Sequence, residues 1–198
     1  MKTDEIGIVK RPRFLDEMRV MFSFTPEEEQ KFLEMLTWRT YKKRHVLDGQ
    51  NEILQYMFYI NRGAARTFYV EKGTEYNYAF SFEGQFLVRP QSMMRKNKQT
   101  MFVQFLEDTE ICYVPISTLG AFQSHSTDKF RQFLNIALIK YTEYLEEHLF
   151  MLRMDARDRY NWAIERFPHI LEVISVSQLA SYLNLTKETL YRIRSGKY

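Results

Sequence analysis

The chain has 198 residues, 45% of them hydrophobic and 16% aromatic, which is enough apolar side chain for a packed core and excludes a disordered polymer. Charges interrupt every candidate for the roughly 20 apolar residues that span a bilayer, and Met1–Arg13 lacks the apolar segment of a secretory signal. The net charge is only +3 and Cys112 is the one cysteine, so an internal disulfide, a zinc knuckle and a four-cysteine iron–sulfur site are excluded, and a soluble cytoplasmic protein is expected.

In chain order, the first strong signal is Thr25-Pro26-Glu27-Glu28. Thr25 caps a helix, Pro26 suits its first turn, and Glu28 completes a capping box. Phe32, Leu33 and Leu36 supply its apolar stripe. From Trp38 to about Pro115 the pattern becomes that of strands. Tyr56–Ile60, Ala64–Val70, Tyr76–Phe82, Met101–Leu106 and Ile111–Val114 are aromatic or β-branched runs, punctuated by Gly63, Gly73 and Gly84. Ala64–Val70, the turn Glu71-Lys72-Gly73-Thr74 and the run after it read as a hairpin. Several short strands with glycine turns imply a sandwich or barrel-like β domain. Gln91–Thr100 is polar and is read as a loop or short helix.

Helical periodicity returns over Asp128–Asp155. Phe130, Leu134, Ala137, Tyr141, Leu145, His148 and Leu152 recur at steps of three and four, and Phe133, Leu138 and Leu149 widen the stripe. A helix of up to roughly 40 Å needs a cover for that face; the β domain can supply part of it and a second copy of the helix the rest. A cover wholly within the chain is the alternative. Asp155–Phe167 is again helical and ends at Pro168.

The most specific signal is terminal. Ser177 is expected to cap a helix that turns Leu179, Ala180 and Leu183 inward. Asn184 ends it, because asparagine tolerates the left-handed backbone of a tight cap. Leu185 plugs the turn, Thr186 caps a second helix, and Leu190 and Ile193 point inward. Lys187, Glu188, Tyr191, Arg192 and Ser195 then face outward. The small Ala180 lets the two helices cross closely.

This is the pattern of a helix-turn-helix whose second helix reads the major groove. Arg192 can bond guanine O6 and N7, Glu188 can accept from cytosine N4, and Lys187 can reach guanine or phosphate. Ser175, Ser177, Thr186 and Thr189 suit phosphate oxygens, with Tyr191 and Arg194 as secondary contacts. Charge agrees with this. From Arg153 onward there are eight basic and five acidic residues out of 28 and 25, which leaves 20 of each before it. Two amphipathic helices that merely close a bundle would share the pattern, and both readings stand at this point.

The order of β domain, long helix and terminal helix pair resembles the Crp/Fnr family of bacterial transcription regulators. The match rests on Tyr59-Ile60-Asn61-Arg62-Gly63-Ala64-Ala65-Arg66-Thr67-Phe68, on Lys72-Gly73-Thr74-Glu75 and on Leu106-Glu107-Asp108-Thr109-Glu110. It rests further on Arg157-Asp158-Arg159-Tyr160 with Phe167-Pro168, and on Gln178–Arg194. The resemblance runs from about Phe14 onward. It implies an α+β fold with three parts: residues 1–127 as an N-terminal helix and jelly-roll-like β-roll effector domain, 128–154 as a dimerisation helix, and 155–198 as a helix-turn-helix domain.

By the same resemblance Lys187, Glu188 and Arg192 are the base readers, with lysine where prominent members carry arginine. Asn184 replaces the usual turn glycine, and Tyr191 replaces a serine. With the chain ending at Tyr198, a short module without the β-hairpin wing is expected. In cyclic-nucleotide binders of the family, a Gly-Glu pair and an Arg-Ser or Arg-Thr pair hold ribose and phosphate. Here Val88-Arg89 and Gln99-Thr100 stand in their place, so cyclic AMP is not the expected ligand. Arg89 and Thr100 are what remains of an effector pocket, and a small-molecule effector of unassigned identity stays open. His45, His125, His148 and His169 are scattered, so no metal or haem cofactor is expected.

The expected partners are double-stranded DNA, a second copy of the chain and, for an activator, RNA polymerase; no membrane is expected. The alternative is a small-molecule sensor or protein-interaction module with a non-functional helix-turn-helix. No enzyme is expected, because no nucleophile adjoins a base and no glycine-rich phosphate loop precedes a helix.

Overall fold

A computed structural model describes residues 12–48, 56–87, 101–115, 117 and 127–197. The chain opens with helices α1 (Pro12–Phe22) and α2 (Pro26–Glu34). At the start of α2 the expected capping box is closed: the Glu28 amide donates to Thr25 Oγ1 at 3.2 Å, and the Thr25 amide donates to Glu28 Oε2 at 2.9 Å. The helix buries no residue fully; Phe32 and Leu36 lie half-covered against the neighbouring aromatic cluster.

Among the described residues eight strands follow: β1 (Thr37–Tyr41), β2 (Val46–Asp48), β3 (Tyr56–Arg62), β4 (Ala64–Glu71), β5 (Thr74–Phe82), β6 (Phe86–Leu87), β7 (Met101–Phe105) and β8 (Thr109–Pro115). Every strand run expected from the sequence is present. The short β1, β2 and β6 were not anticipated as separate strands. They form two antiparallel sheets, in the orders β1-β8-β3-β6 and β2-β7-β4-β5. Period-two alternation sends Leu47, Phe58, Ile60, Ala65, Leu87, Val103, Phe105 and Ile111 between the sheets as one core.

Two turns explain the glycines. Glu71 pairs with Thr74, leaving a two-residue loop in which Lys72 and Gly73 have φ of 50° and 79°. Two positive φ values in a two-residue hairpin match the right-handed strand twist. Between β3 and β4, Gly63 has φ 102°, and a Cβ there would lie 2.6 Å from Thr109 Oγ1. Only glycine allows the buried Thr109 hydroxyl to reach the carbonyl of Ala64 at 3.2 Å.

The outer face of the first sheet is covered by α1. Phe14, Met18 and Phe22 bury Tyr59 and Cys112, and the Tyr59 hydroxyl donates to Glu17 Oε2 at 2.8 Å. The long helix α3 (Thr127–Arg153) joins this cluster through Phe133 and Ile136, and Lys129 Nζ donates to the Ser23 carbonyl at 2.7 Å. Four helices end the chain: α4 (Ala156–Arg166), α5 (Ile170–Val173), α6 (Val176–Tyr182) and α7 (Lys187–Arg194). Asp155 caps α4. Their core of Ala163, Phe167, Ile170, Leu179, Ala180, Leu183 and Leu190 is continuous with Ala64, Phe80 and Leu106 on the second sheet's outer face. No helix among the described residues is long and apolar enough to cross a membrane.

Candidate nucleic-acid interface

The terminal helix pair is built from its caps inward. Ser175, not Ser177, caps α6: the Gln178 amide donates to Ser175 Oγ at 3.2 Å, and the Ser175 amide donates to Gln178 Oε1 at 2.8 Å. The reason is reciprocity. Gln178 stands three residues after Ser175 and can return the bond, whereas Ala180 stands three after Ser177 and cannot. Ser177 is exposed in the first turn.

The turn has the expected geometry. Asn184 has φ 52°; the Leu185 amide donates to the Ala180 carbonyl at 2.9 Å, and the Asn184 amide to Ser181 at 3.4 Å. This pair of bonds is a Schellman motif, and it satisfies two carbonyls that the helix end would leave open. Leu185 tucks half-buried against the core. Thr186 then caps α7, its Oγ1 accepting the Thr189 amide at 3.1 Å and lying 2.9 Å from the Thr189 hydroxyl.

Leu190 is fully buried and Ile193 nearly so. At about 100° per residue they occupy one side of α7. Lys187, Glu188, Tyr191, Arg192, Arg194 and Ser195 are all exposed. The helix therefore presents a wall about 12 Å long with three cations, one carboxylate and one phenol. That chemistry can donate to phosphates and to purine acceptors, and can accept from cytosine. Ser175, Ser177 and Thr186 are exposed beside it, whereas Thr189 is half-buried.

One arginine not singled out from the sequence organises the base of this unit. Arg159 Nη1 donates to the Leu183 carbonyl at 2.9 Å, at the end of α6, and its Nε donates to the Met154 carbonyl at 3.2 Å, just after α3. Arg166 Nε pairs with Glu147 of α3 at 2.8 Å. Tyr182 packs edge-on to Phe80, and its phenol is pushed above the usual range by burial first and by the Glu147 carboxylate second, with Arg166 acting in the opposite direction. No signal local in sequence marks these contacts, because each joins separate elements.

The long helix has two faces. Phe133, Ile136, Tyr144, His148 and Met151 turn toward their own chain. His148 lies against Tyr144, with ring centroids 4.2 Å apart, and its Nδ1 is 3.1 Å from the Tyr144 carbonyl. Phe130 and Ala137 are half-buried. Leu134, Leu138, Tyr141, Leu145, Leu149 and Leu152 are exposed and fall within an arc of about 80° at 100° per residue. Arg89 and Thr100 lie outside the described residues. Among the described residues no group of histidine, cysteine or carboxylate side chains is arranged to hold a metal.

This arrangement defines a class: the chain has the fold of the Crp/Fnr transcription regulators, with a β-roll, a long helix and a terminal pair of helices joined by a tight turn. Among solved structures it is similar to FixK2 from Bradyrhizobium japonicum, at 20% identity over 81% of this chain and 83% of that one, with a TM-score of 0.66. The c-di-GMP-responsive global regulator CLP of Xanthomonas campestris matches at 14% identity over 84% and 88%, with a TM-score of 0.63. Catabolite activator protein from Thermus thermophilus matches at 18% identity over 89% and 85%, with a TM-score of 0.51. No family model matches the chain, and no curated protein matches it.

Proposed function

We propose that this chain is a sequence-specific DNA-binding transcription regulator that acts in the cytoplasm as a homodimer. The observation that supports this best is α7 itself. Its apolar side is sealed by Leu190 and Ile193, while Lys187, Glu188 and Arg192 project together from the other side. Lys187 and Arg192 are the donors to guanine or phosphate, and Glu188 is the acceptor for cytosine. Ser175, Ser177, Thr186, Thr189, Tyr191 and Arg194 hold the backbone around them.

The exposed leucine face of α3 is the dimer seam, because an apolar stripe of that width and length is otherwise left in water. Two such helices side by side place two copies of α7 on half-sites about one helical turn apart. The β-roll, with Arg89 and Gln99 where cyclic-nucleotide binders carry the ribose carboxylate and the phosphate arginine and only Thr100 keeping its chemistry, is not read as a cyclic AMP receptor. RNA polymerase is a partner if the protein activates. The solved structures that share this fold include transcription regulators, which supports reading the chain as a binding protein.

The test is fluorescence anisotropy with duplexes from the region upstream of the gene, against a scrambled duplex, at two salt concentrations. Preference for the native duplex and a steep loss of affinity with salt are expected. Equal binding to both duplexes would overturn the proposal in favour of a protein-interaction module.

A further inference from the structure

The one charged side chain buried among the described residues is Arg66, on β4, at 4% exposure. It lies on the outer face of the second sheet, where an unpaired guanidinium would be strongly disfavoured. Each of its three guanidinium nitrogens donates a hydrogen bond. Nε donates to Gln104 Oε1 at 2.8 Å, Nη1 to Asn77 Oδ1 at 2.9 Å and Nη2 to Glu75 Oε2 at 2.6 Å. The guanidinium also lies 4.1 Å from the Phe68 ring centroid. Three of its five N–H donors are thereby committed within the fold. What it does is fix its neighbours.

Asn77 is the neighbour that matters. Arg66 can only donate, so the Asn77 side-chain oxygen must face it and the NH2 group must face away. That NH2 donates to the Gln178 carbonyl at 3.2 Å, and the Asn77 backbone amide donates to Ser181 Oγ at 3.1 Å. Both acceptors are on α6. The register between β4 and β5 shifts at this point, Thr67 facing Ala79 and Phe68 facing Asn77. The extra residue, Tyr78, makes a bulge, and a bulge re-aims the groups beside it. Here it turns the Asn77 amide out of the ladder and toward the helix. Phe80 against Tyr182 supplies the apolar flank of the same contact.

We propose that Arg66 is a positioning residue: through Asn77 it holds α6 on the β-roll and thereby sets the direction in which α7 is presented. The orientation of α7 follows that of α6, because Leu179 and Ala180 share one core with Leu190 and the Schellman turn joins the helices. In a dimer the two copies of α7 must meet grooves at one fixed separation. A rotation of α6 on the sheet changes that separation without touching the side chains that read bases. This consequence rests on the DNA-binding function proposed above; the docking of α6 on the sheet does not.

The full chain is compared with Arg66→Met, Arg66→Lys and Ser181→Ala in two measurements. The first is hydrogen exchange over residues 74–82 and 176–182. The second is binding to duplexes whose two half-sites are moved apart in single base-pair steps. Exchange should quicken on the order of 10-fold in Arg66→Met and Ser181→Ala, the loss of one or two hydrogen bonds. The preference for one spacing should flatten while base preference within each half-site is kept. Arg66→Lys, which cannot make all three bonds at once, should fall between. Should Arg66→Met fail to fold, Ser181→Ala decides alone, since it removes one oxygen from a half-buried side chain. Unchanged exchange overturns the proposal, and so does an unchanged spacing profile in a parent that reads sequence. A parent with no base preference would refute DNA reading instead, and exchange would then decide whether α6 is held.

Discussion

Leu145 tests the dimer seam most directly. It is 42% exposed in the single chain and sits near the middle of the bare arc on α3. Full burial of a leucine side chain is worth about 1.5–3 kcal/mol. Covering the remaining two-fifths adds about 1 kcal/mol per copy and about 2 kcal/mol per dimer. Leu145→Ala should therefore weaken self-association about 30-fold. Leu145→Glu should do more, because parallel helices bring the two carboxylates to the same level of the seam, desolvated and of like sign. Sedimentation velocity across a concentration series reads the result. The expected outcome is a monomer for Leu145→Glu, with helix content unchanged by circular dichroism. Glu146→Ala, one residue along but off the arc, should leave the dimer intact. A Leu145→Glu chain that still sediments as a dimer would show that the seam lies elsewhere and refute the assignment of this face.

The remaining predictions follow from single contacts. Arg192→Ala should relax base preference at one position of each half-site by roughly 1–3 kcal/mol in a mutated-operator series; a uniform loss across sequences would make Arg192 a phosphate contact instead. Asn184 has φ 52°, so Asn184→Ala should lower stability by about 1 kcal/mol while Asn184→Gly stays within about 0.5 kcal/mol of the parent in thermal melts. Equal tolerance of both would mean the turn relaxes. The Glu28 carboxyl is held below its ordinary value of 4.5, chiefly by the Thr25 amide, with Lys129 adding to it. Its contribution to α2 is therefore complete above pH 4.5 and is lost as pH falls through the lower folded value. An NMR titration should find Glu28 below 4.5 in the parent and α2 exchange insensitive to acid in Glu28→Gln; a Glu28 that titrates at or above that value contradicts the capping box.

What could be read in the sequence is what local chemistry decides. The Lys72-Gly73 hairpin, the Thr25 capping box and the Asn184 turn each depend on residues within four or five positions, and each was foreseen. Ser175 is the instructive exception among local features. Proximity to the apolar run favours Ser177 as the cap, yet only Ser175 has a glutamine three residues on, and the reciprocal bond outweighs proximity. The strands β1, β2 and β6 were not separable because they are short and β1 is largely polar, so their pairing partners and not their own residues make them strands. The long helix shows the same limit. Its apolar stripe was visible as one pattern, but His148 belongs to the face that meets Tyr78 within the chain, while Leu138 and Leu149 lie on the bare one. Periodicity reports that a face is apolar; it does not report what covers it. The contact that holds α6 on the sheet is further still from local rules, since Asn77 and Ser181 are 104 residues apart. Arg66 in isolation reads as an ordinary strand arginine, and only the bulge at Tyr78 gives its buried charge a route to the helix pair. A capped helix pair can thus be recognised from about twenty residues, whereas the direction in which its second helix points is a property of the whole chain.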